Sequence, residues 1–173
     1  MSIRTALALS GLAVLGAACA PVDGGSPYPL PLTSAPPSAF NAEDFAWSTR
    51  TGTAAIDGRV IYRSGGQVYD CTGSVALTPD TPYTRARFRT LYGATDQAAI
   101  PEAVVRARTV RDPNADYRSF VRSTTCANGR FAFNDLPDGG WFIIVPVSPG
   151  GDGDRTVLMR HVNTRSGRIA VTL

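Results

Sequence analysis

The sequence predicts an all-β domain, an antiparallel β-sandwich of about seven to eight strands with a short helix in the insertion over residues 81–100. Three observations carry this expectation. Short β-type runs recur from residue 56 onward, punctuated by Gly, Pro and Asn. Asn128-Gly129 stands between two of them, and this dipeptide closes two-residue hairpins because both positions accept positive φ. Only Thr81-Pro82 reads as a helix start, with Thr81 as cap and Pro82 at the first helical position, where the N–H it lacks has no partner to lose.

The elements follow in order. Ser38 to Trp47 brings Phe40, Phe45 and Trp47 together with Asn41, Glu43 and Asp44, which predicts a capped turn of helix or an apolar clip on the domain; an aromatic ligand platform is the alternative. Ile56 to Tyr62 and Ser74 to Thr78 are strands. Ala103 to Val110 alternates imperfectly and is assigned to a strand, and Tyr117 to Cys126 runs into the Asn128-Gly129 hairpin before Arg130 to Phe133 returns. Trp141 to Val147, Val157 to Val162 and Arg168 to Leu173 complete the set. Trp141-Phe142-Ile143-Ile144-Val145 is apolar on both faces, so its outer face needs cover from the Thr81 to Ile100 insertion or from the Phe45/Trp47 clip.

The N-terminal segment is an address. Met1 to Arg4 is basic and Ala6 to Ala18 is small and apolar, a secretory signal over residues 1–18. As a helix it spans about 20 Å, short of the roughly 30 Å hydrocarbon core of a bilayer. Leu15-Gly16-Ala17-Ala18-Cys19 resembles the lipobox of bacterial lipoproteins, which implies lipidation of Cys19 and, with Ala20 following, a place in the outer membrane facing periplasm or cell surface. Leu15 stands one residue further back than that pattern has it, so ordinary cleavage after Ala18 or Ala20, giving a secreted or periplasmic protein, stays open. Residues 19–37 are proline-rich and form a tether able to reach about 50 Å; residues 38–173 form the domain.

Composition excludes several chemistries. Every basic residue is arginine, which removes Schiff bases, P-loop phosphate capture and lysine isopeptide bonds. The single histidine, His161, removes multi-histidine metal sites. A net charge of +3 spread along the chain leaves no nucleic-acid footprint. Of three cysteines, lipidation of Cys19 would leave Cys71 and Cys126 as an even pair, and a disulfide in an oxidising compartment balances the count. A reactive thiol pair is the alternative, without a C-x-x-C spacing to support it.

Gly58-Arg59-Val60, Val75-Ala76-Leu77 and above all Asn128-Gly129-Arg130-Phe131-Ala132-Phe133-Asn134-Asp135-Leu136-Pro137-Asp138-Gly139, followed by Trp141, resemble the carboxypeptidase regulatory-like domain, a transthyretin-like (prealbumin-like) β-sandwich. The likeness covers about Thr53 to Val147, with a poorly matched and longer middle from Thr81 to Asp116 and an extra Gly140. It brings no catalytic residue: hydroxyisourate hydrolases on this fold need several histidines and a C-terminal Tyr-Arg-Gly-Ser, and intradiol dioxygenases hold iron with two histidines and two tyrosines, whereas His161 is alone and the chain ends Ala170-Val171-Thr172-Leu173.

Other features have bland readings beside sharper ones. Gly150-Gly151-Asp152-Gly153-Asp154 is a solvated loop rather than a calcium site, because no further oxygen ligands follow at useful spacing. Asp112-Pro113-Asn114-Ala115-Asp116 is a similar turn. Arg85, Arg87 and Arg89 would share one face of a strand, as would Arg106 and Arg108, either as charged edge protection or as a site for acidic glycans. The expectation is a non-catalytic envelope lipoprotein without metal or cofactor, serving as a structural or protein-binding module at the membrane surface. A glycan-binding module is the alternative if Trp47, Tyr62, Tyr83 or Tyr92 form an exposed row, and a hydrolase is the third reading if His161 joins a carboxylate and a hydroxyl in a cleft.

Overall fold

A computed structural model of the chain describes residues 38–71, 73–150 and 153–173. The signal segment 1–18, Cys19, the tether 19–37 and Asp152 lie outside the described residues. Among the described residues no helix is long and apolar enough to cross a membrane.

The domain opens with a 3-10 helix, Ala42–Thr49, capped by Asn41, whose Oδ1 accepts from the Glu43 N–H at 3.1 Å. Strand β1 (Ala54–Arg59) is followed by the short hairpin of β2 (Tyr62–Ser64) and β3 (Gln67–Cys71) and by β4 (Ser74–Pro79). Helix α1 (Pro82–Tyr92) begins at the Thr81 cap with Pro82 in its first turn and ends at Gly93, whose φ of 76° gives the left-handed stop. Next come β5 (Gln97–Pro101), α2 (Glu102–Ala107), a second 3-10 turn (Asp116–Phe120) and β6 (Arg122–Thr125). The strands β7 (Arg130–Leu136), β8 (Gly139–Ser148), β9 (Thr156–Thr164) and β10 (Gly167–Thr172) complete the chain.

The all-β sandwich stands. A small sheet in the order β10-β1-β7 faces a larger one in which β8 is central, with β9 and then β5 on one side and β4, β6 and the β2–β3 hairpin on the other. Between them lie Ile56, Leu77, Leu136, Trp141, Ile143, Val145 and Leu158, none more than 4% exposed. Burial on this scale, at about 25 cal/mol per Å² of apolar surface, is what holds two sheets together. On the outer face of β8, Phe142 packs with Phe88 and Tyr92 of α1 and with Val157 and Met159. The insertion therefore supplies the cover that the doubly apolar strand requires. The clip packs elsewhere. Trp47 stands at 65° to Trp141, ring centroids 4.9 Å apart, while Phe45 and Phe40 join Tyr83 and Phe120 in an aromatic cluster between the first 3-10 helix, α1 and the second 3-10 turn.

Four expectations are corrected. The sheets are not wholly antiparallel, because β10 runs parallel to β1 in register from Ala54↔Gly167 to Arg59↔Thr172; alternation along a strand is the same for either direction of pairing, so it carries no sign of direction. Residues 103–107 are helical, since β5 uses the preceding segment and ends at Pro101, leaving Glu102 to start α2 and to reach Arg106 one turn on. The hairpin expected of Tyr117 to Cys126 with Arg130 to Phe133 does not form: Asp116–Phe120 is a 3-10 turn, and Asn128-Gly129, bridged by Ala127 and Arg130, passes the chain from β6, paired with β4 in the large sheet, to β7, paired with β1 in the small one, because a local turn signal does not say which sheet each arm joins. Val60 and Ile61 divide the first run, since β1 ends at Arg59 and β2 begins at Tyr62; Val60 N–H to Gly129 O at 2.9 Å and Ile61 N–H to Leu173 O at 2.7 Å are the last bonds to the small sheet before the chain enters the β2–β3 hairpin.

Candidate functional site

The two sheets differ in size, and the inner side of β5–β9 projects beyond what three strands can cover. Cross-strand partners share a face. Gln97–Arg160, Ala99–Leu158 and Pro101–Thr156 are such pairs, and they form the floor of a groove. Ala98 and Ile100 point the other way, into the cluster beneath α1. Over the floor stands the β2–β3 hairpin, whose directly paired Tyr62 and Tyr69 make an edge-on aromatic wall with centroids 5.1 Å apart at 74°. The groove has two lobes, of about 680 and about 270 Å³, and Tyr62 and Ala99 line both.

The larger lobe is polar. Glu102 and Arg106 of α2 form an ion pair there, Arg106 Nε donating to Glu102 Oε1 at 2.9 Å, and Asp154 and Arg155 stand beside them. Among the described residues that line it, two are acidic and two basic. The smaller lobe is floored by Ala99, Leu158 and Leu173, with Gln97 and Arg160 at its rim; Arg160 Nη1 donates to the Thr172 carbonyl at 3.2 Å. An aromatic wall, an apolar floor and exposed polar side chains suit a ligand with apolar faces and a polar edge.

The other residues singled out in the sequence are dispersed. Tyr83 and Tyr92 are buried, 2% and 7% exposed, and Trp47 is packed on Trp141, so of the four aromatics only Tyr62 faces the groove, joined by Tyr69. Burial holds the Tyr83 phenol above its ordinary range, and its hydroxyl donates to the carbonyls of Asp112 and Asn114, which pins the 112–116 turn to α1. Burial, then the nearby Tyr117 hydroxyl, pushes Tyr92 up to about 12. His161 Nε2 lies 2.8 Å from Asp80 Oδ2, and Asp80 also accepts from Arg85, so the imidazole ties β9 to the start of α1. Gly140 makes room for this pair: a Cβ there would stand 3.0 Å from Asp80 Oδ2 and 3.1 Å from His161 Nε2. No hydroxyl side chain hydrogen-bonds to His161 among the described residues.

Residues 85–89 are helical, so the three arginines do not share one face: Arg85 and Arg89, one turn apart, lie on the exposed side of α1 and Arg87 turns away from them. Arg85 pairs with Asp80, Arg87 stacks 4.8 Å from the Tyr117 ring with its Nε and Nη1 buried and without a hydrogen-bond partner among the described residues, and Arg108 caps α1 through the Leu91 carbonyl. Among the described residues no three His, Cys, Asp or Glu side chains gather as a metal site. Cys71 and Cys126 form a disulfide, with Cα atoms 6.0 Å apart. Sequence reasoning missed Tyr69 and Ala99. Gly65-Gly66, with φ of 57° and 79°, was the signal for the hairpin that presents Tyr69.

No family model matches the chain, and no curated protein matches it in sequence. Among solved structures, the fold is similar to that of a Pseudomonas aeruginosa protein described as a candidate carbohydrate-binding protein, with a TM-score of 0.53 and 24% identity over 78% of this chain and 97% of the other. That likeness establishes a shared fold.

Proposed function

We propose that the chain is a non-catalytic binding module of the bacterial envelope, of the carboxypeptidase regulatory-like type, held by a lipid on Cys19 and a proline-rich tether, and that its ligand is a glycan. The observation that carries this reading is the Tyr62–Tyr69 wall standing over the floor of a two-lobed groove. Tyrosine rings offer a rigid apolar face at small entropic cost, and the hydroxyl-rich edge of a sugar finds Gln97, Glu102, Arg106 and Asp154 around it. The description of the Pseudomonas aeruginosa protein supports the same ligand class. A non-catalytic role is supported by His161, whose ring is engaged with Asp80 as a brace between elements.

A protein partner at the envelope is the second reading, favoured by Ile61 and Val68, which are 52% and 55% exposed on the hairpin. Calorimetric titration of the purified chain with neutral oligosaccharides tests the first. Binding is expected, and Tyr62→Ala and Tyr69→Ala should each weaken it at least about tenfold, the loss of one anchoring aromatic. Failure of every oligosaccharide to bind, or full binding by both variants, would refute it.

A further inference from the structure

The two lobes differ in chemistry, and the difference narrows the ligand. Resting on the glycan reading above, we propose that the smaller lobe is an acetamido pocket, so that the groove selects oligosaccharides of N-acetylated amino sugars over those of unmodified sugars.

The ring edge of an unmodified pyranose carries hydroxyls, and pressing one against Ala99, Leu158 and Leu173 would bury it away from the lobe's polar side chains, Gln97, Arg160 and Thr172. An acetamido group meets the same surface with a methyl. Its amide then presents one donor and one acceptor at the rim. Gln97 is exposed there, its carboxamide carries both complements, and it makes no side-chain hydrogen bond among the described residues. Arg160 gives one of its five N–H donors to the Thr172 carbonyl and, carrying no acceptor, cannot take the amide N–H.

The lobe of about 270 Å³ has room for the substituent. It shares Tyr62 and Ala99 with the polar lobe, so a ring stacked on that tyrosine would send its substituent to one side and its chain to the other. The floor runs from Gln97 to Pro101, about 13 Å of strand, which suits a short oligosaccharide better than a single ring. Among the described residues, the two acidic and two basic side chains of the larger lobe favour a neutral chain over a polyanion.

The test compares two β-1,4-linked oligomers that differ at the carbon-2 substituent, N-acetylglucosamine oligomers and glucose oligomers of equal length, by calorimetric titration of the purified chain. The acetylated oligomer should bind at least about tenfold tighter. Gln97→Ala, at an exposed edge position, should remove most of that preference, and Ala99→Phe, which fills the junction of the lobes, should abolish it. Equal affinities in the wild type, or a preference surviving both variants, would overturn the acetamido pocket and leave the glycan reading standing. Absence of binding by both oligomers would overturn the acetamido pocket, and the glycan reading falls with it only if every other oligosaccharide also fails to bind.

Discussion

Gly58 offers a sharp test of how the core is assembled. It lies in β1 directly opposite Phe131 of β7, and a Cβ built there would sit 1.9 Å from Cζ of that ring and within 2.3 Å of both neighbouring carbons. The ring is 5% exposed and packs edge-on to Phe133, with centroids 6.0 Å apart. Gly58→Ala must therefore push Phe131 off its site, an overpacking that costs about 1–3 kcal/mol. Phe131→Ala alone should cost about 3–5 kcal/mol, through lost burial and the cavity left behind. In the double variant the clash has gone and the new methyl fills part of the cavity, while alanine restricts the unfolded strand more than glycine does. The double variant should then cost no more than Phe131→Ala alone, a coupling of at least about 1 kcal/mol. Urea unfolding of the four proteins, with a common m-value, measures it. Additivity to within about 0.5 kcal/mol would show that Phe131 does not lie over Gly58.

Two further outcomes are specific. The disulfide joins residues separated by 55 positions, for which loop-closure entropy gives about 4 kcal/mol. Cys71→Ala with Cys126→Ala should lower the unfolding free energy by about that amount, and an unchanged urea midpoint would contradict it. For Tyr92, the folded phenol is pushed up to about 12 from 10.0, so its neutral form stabilises the fold fully below pH 10 and that contribution is lost as pH rises toward 12. Tyr92→Phe should flatten the fall of melting temperature with pH across this window. With no lysine in the chain, lysine titration does not overlap the window, and an identical slope in the variant would refute the burial argument.

The legible parts of the fold are those in which one short segment contains its own reason. Thr81-Pro82 with Gly93 brackets a helix because cap, first turn and stop are local chemistry. Trp141 to Val145 signals a covered outer face because alternation is absent. Ala103 to Val110 misleads because its imperfect alternation cannot report that the preceding residues already form the edge strand β5. The Gly65-Gly66 hairpin is readable by its turn chemistry, yet as a glycine pair it also passes for simple punctuation between strands. The groove has no local signature at all: Tyr62, Ala99, Leu158 and Leu173 are far apart in sequence and meet only because a small sheet faces a larger one.

That mismatch also explains where the disulfide sits. Among the described residues, the hairpin bearing Tyr62 and Tyr69 is joined to the large sheet through two register pairs, Asp70↔Ser148 and Cys71↔Val147. Two pairs are a weak hold for a projecting ribbon, since an isolated two-stranded hairpin is marginal in water. Cys71 is the last residue of β3, and its bridge to Cys126 ties the foot of the hairpin to the far end of β6, which itself pairs with β4. The covalent bond thus acts at the place where the hydrogen-bonded ladder is thinnest. It holds the aromatic wall at a set distance from a floor that belongs to other strands, Ala99 on β5 and Leu158 on β9. A groove whose two sides come from separately paired strands needs such a tie to be preorganised, and preorganisation is what keeps the ordering cost of binding low.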